Sequence, residues 1–554
     1  MTAGPTRDLM RGRVHLGALT ATLAAAYGDR PAFEDPAPTP GLHGGGLRTH
    51  HDLEHGAARL AAAHAAAGRG RGNRVLLLIG NRVDVLLHAV ALARLGAVAV
   101  PVNPRLKAAE VAAIAQATSA SAAVVDAGIW EALQAEGDVP EVEVTQTGDG
   151  RDGDAGVSRP DTAGAVTLAS WLRANPMIAR EADFDGDPSA TAILLATSGT
   201  TGLPKAAALT SRGLLGSLGL LSVLPVGRQR GPRAGRDLMF AALPLTHVMG
   251  LAAATGALLA GVPFLHRPMF VADEVLDLIE QRRPNIVIGV PTMYADLEAA
   301  GAAGRDLRSV QLWGSGADVM PPDRARRFQR HGRALTVAGR GVGTAAFADV
   351  WGMVELSGGA AIRLYPPSPA GVLSLPSVAK LLPGFHMRAV DDEGQPLGPA
   401  RVGHLEIRGP GVLRGYEGRP DAGPDAAGWF ATGDLGRVWP GGIFQFAGRT
   451  RDRLKVGGFS VFPAEVEEEL RGHAGVQEVA VVGLPDDRLG EVPVALVVAG
   501  PDGVDPGELL AWAQEHVAGY RRPRHALVVA DLPRGHHGKL DRVAATALAA
   551  QLLS

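Results

Sequence analysis

The sequence has no cysteine in its 554 residues. Disulfides, thiolate metal sites and a cysteine nucleophile are therefore excluded, which fits a reducing cytosol. A strong charge of either sign is also missing: the formal net charge is −3 at pH 7. That balance gives no electrostatic basis for a nucleic-acid partner or an anionic membrane surface. No secretory leader is expected, because Arg7, Asp8, Arg11 and Arg13 interrupt the N-terminus before a long apolar core can form. A cytoplasmic protein is the expectation. One run lacks charge altogether. Leu238 to Leu265 contains no Asp, Glu, Lys or Arg and is long enough to span a bilayer. Pro244, Gly250, Gly256, Gly261 and Pro263 break it, and His247 sits in its middle. A buried strand, a polar loop and a core helix are predicted there, and no transmembrane segment. No internal repeat stands out.

The chain exceeds the size at which a single core stops growing, so two or more domains are expected. Its 46% hydrophobic and 20% charged residues are those of a globular protein. Asp52 to Ala66 and Val83 to Leu95 carry helical spacing, whereas Arg74 to Ile79 and Ala97 to Pro101 read as buried strands. Such alternation argues for an α/β sheet with helices on its faces. Gly137 to Asp161 is rich in Gly, Asp and Thr and reads as a surface loop. Leu405–Arg408 and Gly442–Phe446 read as antiparallel strands. After Arg449 a compact α+β unit is predicted. A helix opens at Pro463 with Glu465, Glu467, Glu468 and Glu469 following, which suits the helix dipole. Two strands, Glu478–Val482 and Val492–Val498, and a helix Pro506–Val517 complete it. The domain boundary falls near Gly448–Asp452.

The stretch Thr197-Ser198-Gly199-Thr200-Thr201-Gly202-Leu203-Pro204-Lys205 follows the apolar run Ala192–Ala196. Glycine lets a backbone approach a ligand and turn its N–H groups toward it. Hydroxyls and a lysine ammonium suit phosphate oxygens. The spacing is not that of a Walker A loop, which needs G-x-x-x-x-G-K-[ST]. Taken alone, the stretch reads equally as a phosphate grip or as a connection.

Further motifs decide between them. Pro244-Leu-Thr-His-Val-Met-Gly250, Gly289-Val-Pro-Thr-Met-Tyr294, Trp351-Gly-Met-Val-Glu355 and Gly428-Trp-Phe-Ala-Thr-Gly-Asp-Leu435 follow in order. Gly448-Arg-Thr-Arg-Asp-Arg-Leu-Lys455 and Pro533-Arg-Gly-His-His-Gly-Lys539 come after them. Together these resemble the acyl-adenylate-forming superfamily, in its acyl-CoA synthetase or fatty-acid–CoA ligase branch, over roughly residues 20 to 545. The resemblance implies a large α/β N-terminal domain of mixed sheets with flanking helices and a small β-barrel-like subdomain, residues 15–448. It also implies a hinge at 449–452 and a small mobile α+β C-terminal domain at 453–554.

The implied reaction joins a carboxylic acid to ATP as acyl-AMP, then to coenzyme A as a thioester, with Mg²⁺ assisting. By the same resemblance Thr197, Ser198, Gly199, Thr200, Thr201, Gly202 and Lys205 wrap the phosphates, and Glu355 holds Mg²⁺. Trp351 stacks on adenine, while Asp434 and Arg449 contact the ribose. His247, Gly314, Ser315, Gly316 and Ala317 line the acyl pocket. Lys539, with His247 and Glu355, completes the catalytic set, and Lys539 sits between carboxylate and α-phosphate. Arg451 is the hinge residue, where a charged side chain stays solvated in two orientations. Gly457 and Gly458 form the loop on the coenzyme A side. Taken in isolation, Asp434 reads as a turn residue, His247 as a core histidine and Lys539 as a surface lysine; their joint order reverses this.

Departures are few. Val354 stands where the family has threonine, Ala206 replaces a common glycine, and Ala338–Ala348 lengthens the approach to Trp351. Gly341–Ala346 superficially resembles a dinucleotide fingerprint but lacks a strand–turn–helix context. His51-Asp-Leu-Glu-His55 is not a zinc motif and is predicted as an exposed helix segment, and His536-His537 lacks metal-binding partners. Val248, Met249, Leu251 and Ala252, near His247, offer nothing to an amino-acid ammonium group. A hydrophobic acid is therefore expected, with an acyl carrier protein as the alternative acceptor. A catalytically impaired binding homologue and a homodimer are the remaining expectations carried from the sequence.

Overall fold

The computed structural model describes residues 13–36, 46–137, 139–147, 186–197, 205–218, 232–318, 320–337, 340–367, 378–419, 421–456, 459–486, 488–517, 519–535 and 540–553. Asp8 and the short strands at 166–167, 225–226 and 229–230 complete the set. Contacts divide the chain into two compact units. The first holds Met1–Pro376, Leu382–Phe385 and Arg408–Gly428; the second holds Ser377–Leu381, His386–Ile407 and Trp429–Ser554.

The first unit contains two sheets. One runs Gly46–Thr49, Pro31–Asp35, Phe264–His266, Met239–Ala241, Ile286–Gly289, Leu312–Gly316, Ala346–Met353, Gly358–Tyr365 in spatial order. Its central strands are parallel, and Gly358–Tyr365 closes it antiparallel. Parallel strands need helices on their faces. Trp313 and Phe347 point to one such helical layer, where Tyr294 and Phe328 meet them. Tyr294–Phe328 and Trp313–Phe328 are edge-on pairs at 4.8 and 5.1 Å, the geometry that the ring quadrupole favours. Pro291 opens the helix Pro291–Ala299 straight after a strand, as its fixed φ suits the first helical turn.

The second sheet runs Gly415–Tyr416, Lys205–Thr210, Thr191–Thr197, Val98–Pro101, Arg74–Leu78, Ala122–Asp126, Glu143–Thr147, Val166–Thr167. Its centre is an unbroken apolar layer. Glu143–Thr147 falls inside the predicted surface loop, so that expectation is corrected here. Thr145, Gln146 and Thr147 are buried, and Arg69 donates to Thr145 Oγ1 at 2.8 Å. The alternation of 141–147 outweighs the Gly/Asp/Thr composition around it.

The charge-free run folds as predicted: a strand, then the buried helix Val248–Leu259, then a second strand. Gly250 is required there, because a Cβ would lie 2.1 Å from Pro244 O. Among the described residues no helix is long and apolar enough to cross a membrane. The helix His50–Ala66 is capped by Thr49 and Asp52. Its His51–His55 stretch is not wholly exposed, since Leu53 is buried and Glu54 pairs with Arg94 at 2.8 Å. Leu335–Val337 and Arg340–Val342 form an antiparallel pair, so the glycine-rich lead into Trp351 is no dinucleotide fold.

The second unit holds two sets of paired strands. One runs Val378–Leu381, Ile443–Arg449, Phe430–Trp439, Gly403–Arg408, His386–Val390. The other runs Phe459–Val461, Leu454–Val456, Gly490–Ala499, Val476–Asp486, with His525–Val528 added in parallel to Gly490–Ala499. Its strands alternate as period 2 demands. Val479, Val481 and Val497 face the helices Pro463–Leu470 and Pro506–His516. Ala480, Val482 and Leu496 face Arg542–Leu553. Compactness thus groups 429–448 with the residues after 449, unlike the division at 448 read from the sequence. Arg437 Nη1 lies 3.0 Å from Glu465 Oε1 within this unit.

Candidate active site

Thr197 ends one strand and Lys205 begins the next, and the two are paired across the antiparallel ladder. Thr197 Oγ1 donates to Lys205 O at 3.4 Å. The segment between them therefore starts and ends at one point of a sheet edge. Ser198, Gly199, Thr200, Thr201 and Gly202 lie outside the described residues.

The next strand partner, Gly415–Tyr416, brings in a residue that sequence reasoning missed. Tyr416 pairs with Ala207, and Lys205 Nζ lies 5.5 Å from the centroid of its ring, within cation–π range. Tyr416 Oη donates to Glu355 Oε1 at 2.8 Å. Burial, then the Glu355 charge and this hydrogen bond, push the phenol well above its ordinary range, so it stays a donor. Its only sequence signal is an aromatic residue after Gly415, in a stretch with no periodicity.

Glu355 sits in the turn Val354–Leu356, directly after the strand Ala346–Met353 that carries Trp351. Leu413 N donates to Glu355 O at 2.7 Å, and Ser357 Oγ donates to Gly411 O at 2.8 Å. The Glu355 backbone is thereby fixed while Tyr416 orients one carboxylate oxygen. Among the described residues no group of three or more His, Cys, Asp or Glu could hold a metal ion. A single carboxylate suits Mg²⁺, which is usually held by one or two carboxylates together with substrate phosphates. Tyr416→Phe is expected to raise the Mg²⁺ concentration for half-maximal pyrophosphate release about tenfold, since hydrogen bonds to charged groups contribute about 1.5–3 kcal/mol. An unchanged Mg²⁺ titration would show that Tyr416 does not orient Glu355.

His247 is the N-cap of the helix Val248–Leu259, and its Nδ1 accepts from Met249 N at 3.4 Å. Neutral His247 therefore carries its proton on Nε2. Gly314, Ser315 and Gly316 lie on the strand Leu312–Gly316, and Ala317 follows with φ 71°. Tyr294 Oη donates to Gly314 O at 2.6 Å. Glycine at 314 and 316 permits close approach. A Cβ at Gly314 would lie 2.4 Å from Ile288 Cδ1, and one at Gly316 would lie 3.1 Å from Val350 O and 3.4 Å from Met249 Cε. Met249 of the helix headed by His247 thus comes close to Gly316, whose other near neighbour is Val350, next to Trp351. Ser315 is buried, and its Oγ has no hydrogen-bond partner among the described residues.

In the second unit Asp434 is fully buried within the strand Phe430–Trp439, so it is no turn residue. Its register partner is Arg449, whose Nη1 lies 2.7 Å from Asp434 Oδ1 while its side chain stays 43% exposed. Asp434 N donates to Thr432 Oγ1 at 3.1 Å, and Thr432 Oγ1 donates to Leu405 O at 2.8 Å. Arg451 follows in the turn Thr450–Asp452, with its side chain 68% exposed. Gly457, Gly458 and Lys539 lie outside the described residues.

The sequence matches the AMP-binding enzyme family over residues 21–417 and the AMP-binding enzyme C-terminal domain over residues 465–539. The chain belongs to the AMP-binding enzyme family. It is similar to feruloyl-CoA synthase of Amycolatopsis sp, at 31% identity over 92% of this chain and 96% of that one. Fatty acid–[acyl-carrier-protein] ligase ScoC of Streptomyces coeruleorubidus is 30% identical over 92% and 93% of the two chains. Long-chain-fatty-acid–CoA ligase FadD13 of Mycobacterium tuberculosis is 29% identical over 87% and 90%. Among solved structures, ATP-bound MatB from Rhodopseudomonas palustris is 25% identical, with a TM-score of 0.76 over 98% of this chain and 100% of that one. As an AMP-binding enzyme the protein is an AMP-forming acid–thiol ligase. Its reaction runs through an acyl adenylate and uses ATP, Mg²⁺ and coenzyme A.

Proposed function

We propose that this AMP-binding enzyme activates a hydrophobic carboxylic acid, a fatty acid first of all, and delivers it to coenzyme A. The observation that carries the reading is the surroundings of Gly316. Met249 and Val350 lie beside Gly316 and Ile288 beside Gly314, all three half-buried, and none offers a charge to a substrate tail. Ala253 and Ala254 are buried in the core and add no room. A substituted aromatic acid is the second reading, favoured by the similarity to feruloyl-CoA synthase.

In the first half-reaction a carboxylate oxygen attacks the α-phosphorus, and the bond to pyrophosphate breaks. Two anions must approach, so the site needs cations and donors aimed at developing charge. Thr197, Lys205 and the residues between them grip the leaving pyrophosphate. Glu355 would hold Mg²⁺, which neutralises phosphate charge when bound. Trp351 stacks on adenine, Asp434 accepts from the ribose hydroxyls, and Arg449 adds a donor beside it. Lys539 bridges carboxylate and α-phosphate. In the second half a thiol sulfur attacks the acyl carbon and AMP leaves. Between the two halves, rotation about Arg451 exchanges Lys539 for Gly457 and Gly458, whose small size admits the pantetheine arm.

A panel of carboxylic acids in a pyrophosphate-release assay tests this. Fatty acids are expected to exceed aromatic acids at least about tenfold in kcat/KM, the discrimination an apolar pocket gives for a few methylenes. The reverse order would replace the fatty reading with the aromatic one. Thioester formation with a pantetheinylated carrier but not with free coenzyme A would reassign the acceptor.

A further inference from the structure

Resting on the hinge role just proposed for Arg451, we infer that two side-chain bonds bracket this residue and confine the rotation to it. On the N-terminal side, Thr450 Oγ1 lies 3.3 Å from His404 Nδ1. His404 Nε2 lies 2.8 Å from Asp392 Oδ1, so Nε2–H donates to the carboxylate and Nδ1 is left to accept from Thr450. His404 belongs to the strand Gly403–Arg408, and Thr450 is thereby tied to that sheet.

On the C-terminal side, Asp452 Oδ2 lies 3.0 Å from Arg542 Nε. Arg542 opens the last helix, Arg542–Leu553. Its Nη1 donates to Glu467 Oε1 and to Val481 O, each at 2.8 Å. Glu467 is buried and accepts from Val481 N at 2.8 Å. Asp452 is therefore tied through one guanidinium to a helix start, a strand and the helix Pro463–Leu470. Among the described residues the Arg451 side chain, between the two ties, has a 3.5 Å contact to Asp452 and is mostly exposed. Arg453 N closes the turn on Thr450 O at 3.4 Å, and Arg453 Nη1 makes a longer, 3.7 Å contact with Asp392 Oδ1.

Arg542 is also three residues beyond Lys539 in the chain. Asp541 N donates to Pro533 O at 2.9 Å, and Arg534 bridges Leu540. These contacts hold the described residues Pro533, Arg534, Leu540 and Asp541 together, next to the residue that fixes Asp452. Arg542 is a positioning residue for the hinge, with Asp452 as its partner.

Asp452→Asn, Arg542→Lys and the double variant test the bracket in the full-length protein. Two readouts are taken beside the melting temperature. The first needs no turnover: tryptic cleavage between Arg449 and Arg453 is expected to be about tenfold faster in each single variant, because cleavage follows the population of locally opened chain. The second is kcat for the complete reaction, expected to fall about tenfold in each single variant with KM for ATP and acid within twofold, and to fall no further in the double variant. Unchanged cleavage rates overturn the bracket, as does a double variant near the product of the singles. A fall in kcat that parallels a fall in melting temperature also overturns it, by reducing Arg542 to a structural residue. Failure of the two-step reading itself would appear in the wild-type protein, as acid-independent pyrophosphate release, and leaves the cleavage readout standing.

Discussion

Lys539→Ala is expected to lower acyl-AMP formation by about 10²–10³-fold, the loss seen when one preorganised donor is removed from a developing charge. Thioester formation from preformed acyl-AMP is expected to continue near the wild-type rate. The asymmetry follows from the two half-reactions. Only the first brings a carboxylate against a triphosphate, so only the first needs an ammonium between them. Pyrophosphate release and conversion of synthetic acyl-AMP, measured separately, check it. Equal loss in both halves would remove Lys539 from its proposed role.

The second large effect is expected at Asp434. With two ribose hydroxyls as donors, its carboxylate makes two charge-assisted hydrogen bonds of about 1.5–3 kcal/mol each. Asp434→Ala should therefore lower kcat/KM for ATP by about 10²-fold or more. The fold should suffer less, because Arg449 is 43% exposed and water can hydrate it once its partner is gone. The decisive comparison uses 2′-deoxy and 3′-deoxy ATP. The wild-type enzyme should discriminate against both, and the variant against neither. A variant that still prefers ATP would place the ribose elsewhere.

Much of this was legible in the sequence, and the exceptions share a cause. The charge-free run resolved into strand, loop and helix because proline and glycine mark its joints. Trp351 and Glu355 lie on one strand and the turn that follows it, as their closeness in the chain allows. The strand 143–147 was hidden because its neighbours carry turn residues, and its partners, Asp126 and Arg69, are distant in the chain. Asp434 follows Gly433, and nothing adjacent says that Arg449 will pair with it in register. Tyr416 was missed for the same reason. Its meaning comes from Lys205 and Glu355, both far earlier in the chain, and from a two-residue strand too short to show a period.

Tyr416 also does something that neither of its neighbours could do alone. Its backbone belongs to the edge of one sheet, while its hydroxyl reaches the acid at the end of another. In the reading proposed here, those two places receive the leaving phosphates and the metal. A single ring therefore joins the two, and in that reading it would fix how far the pyrophosphate grip stands from the metal.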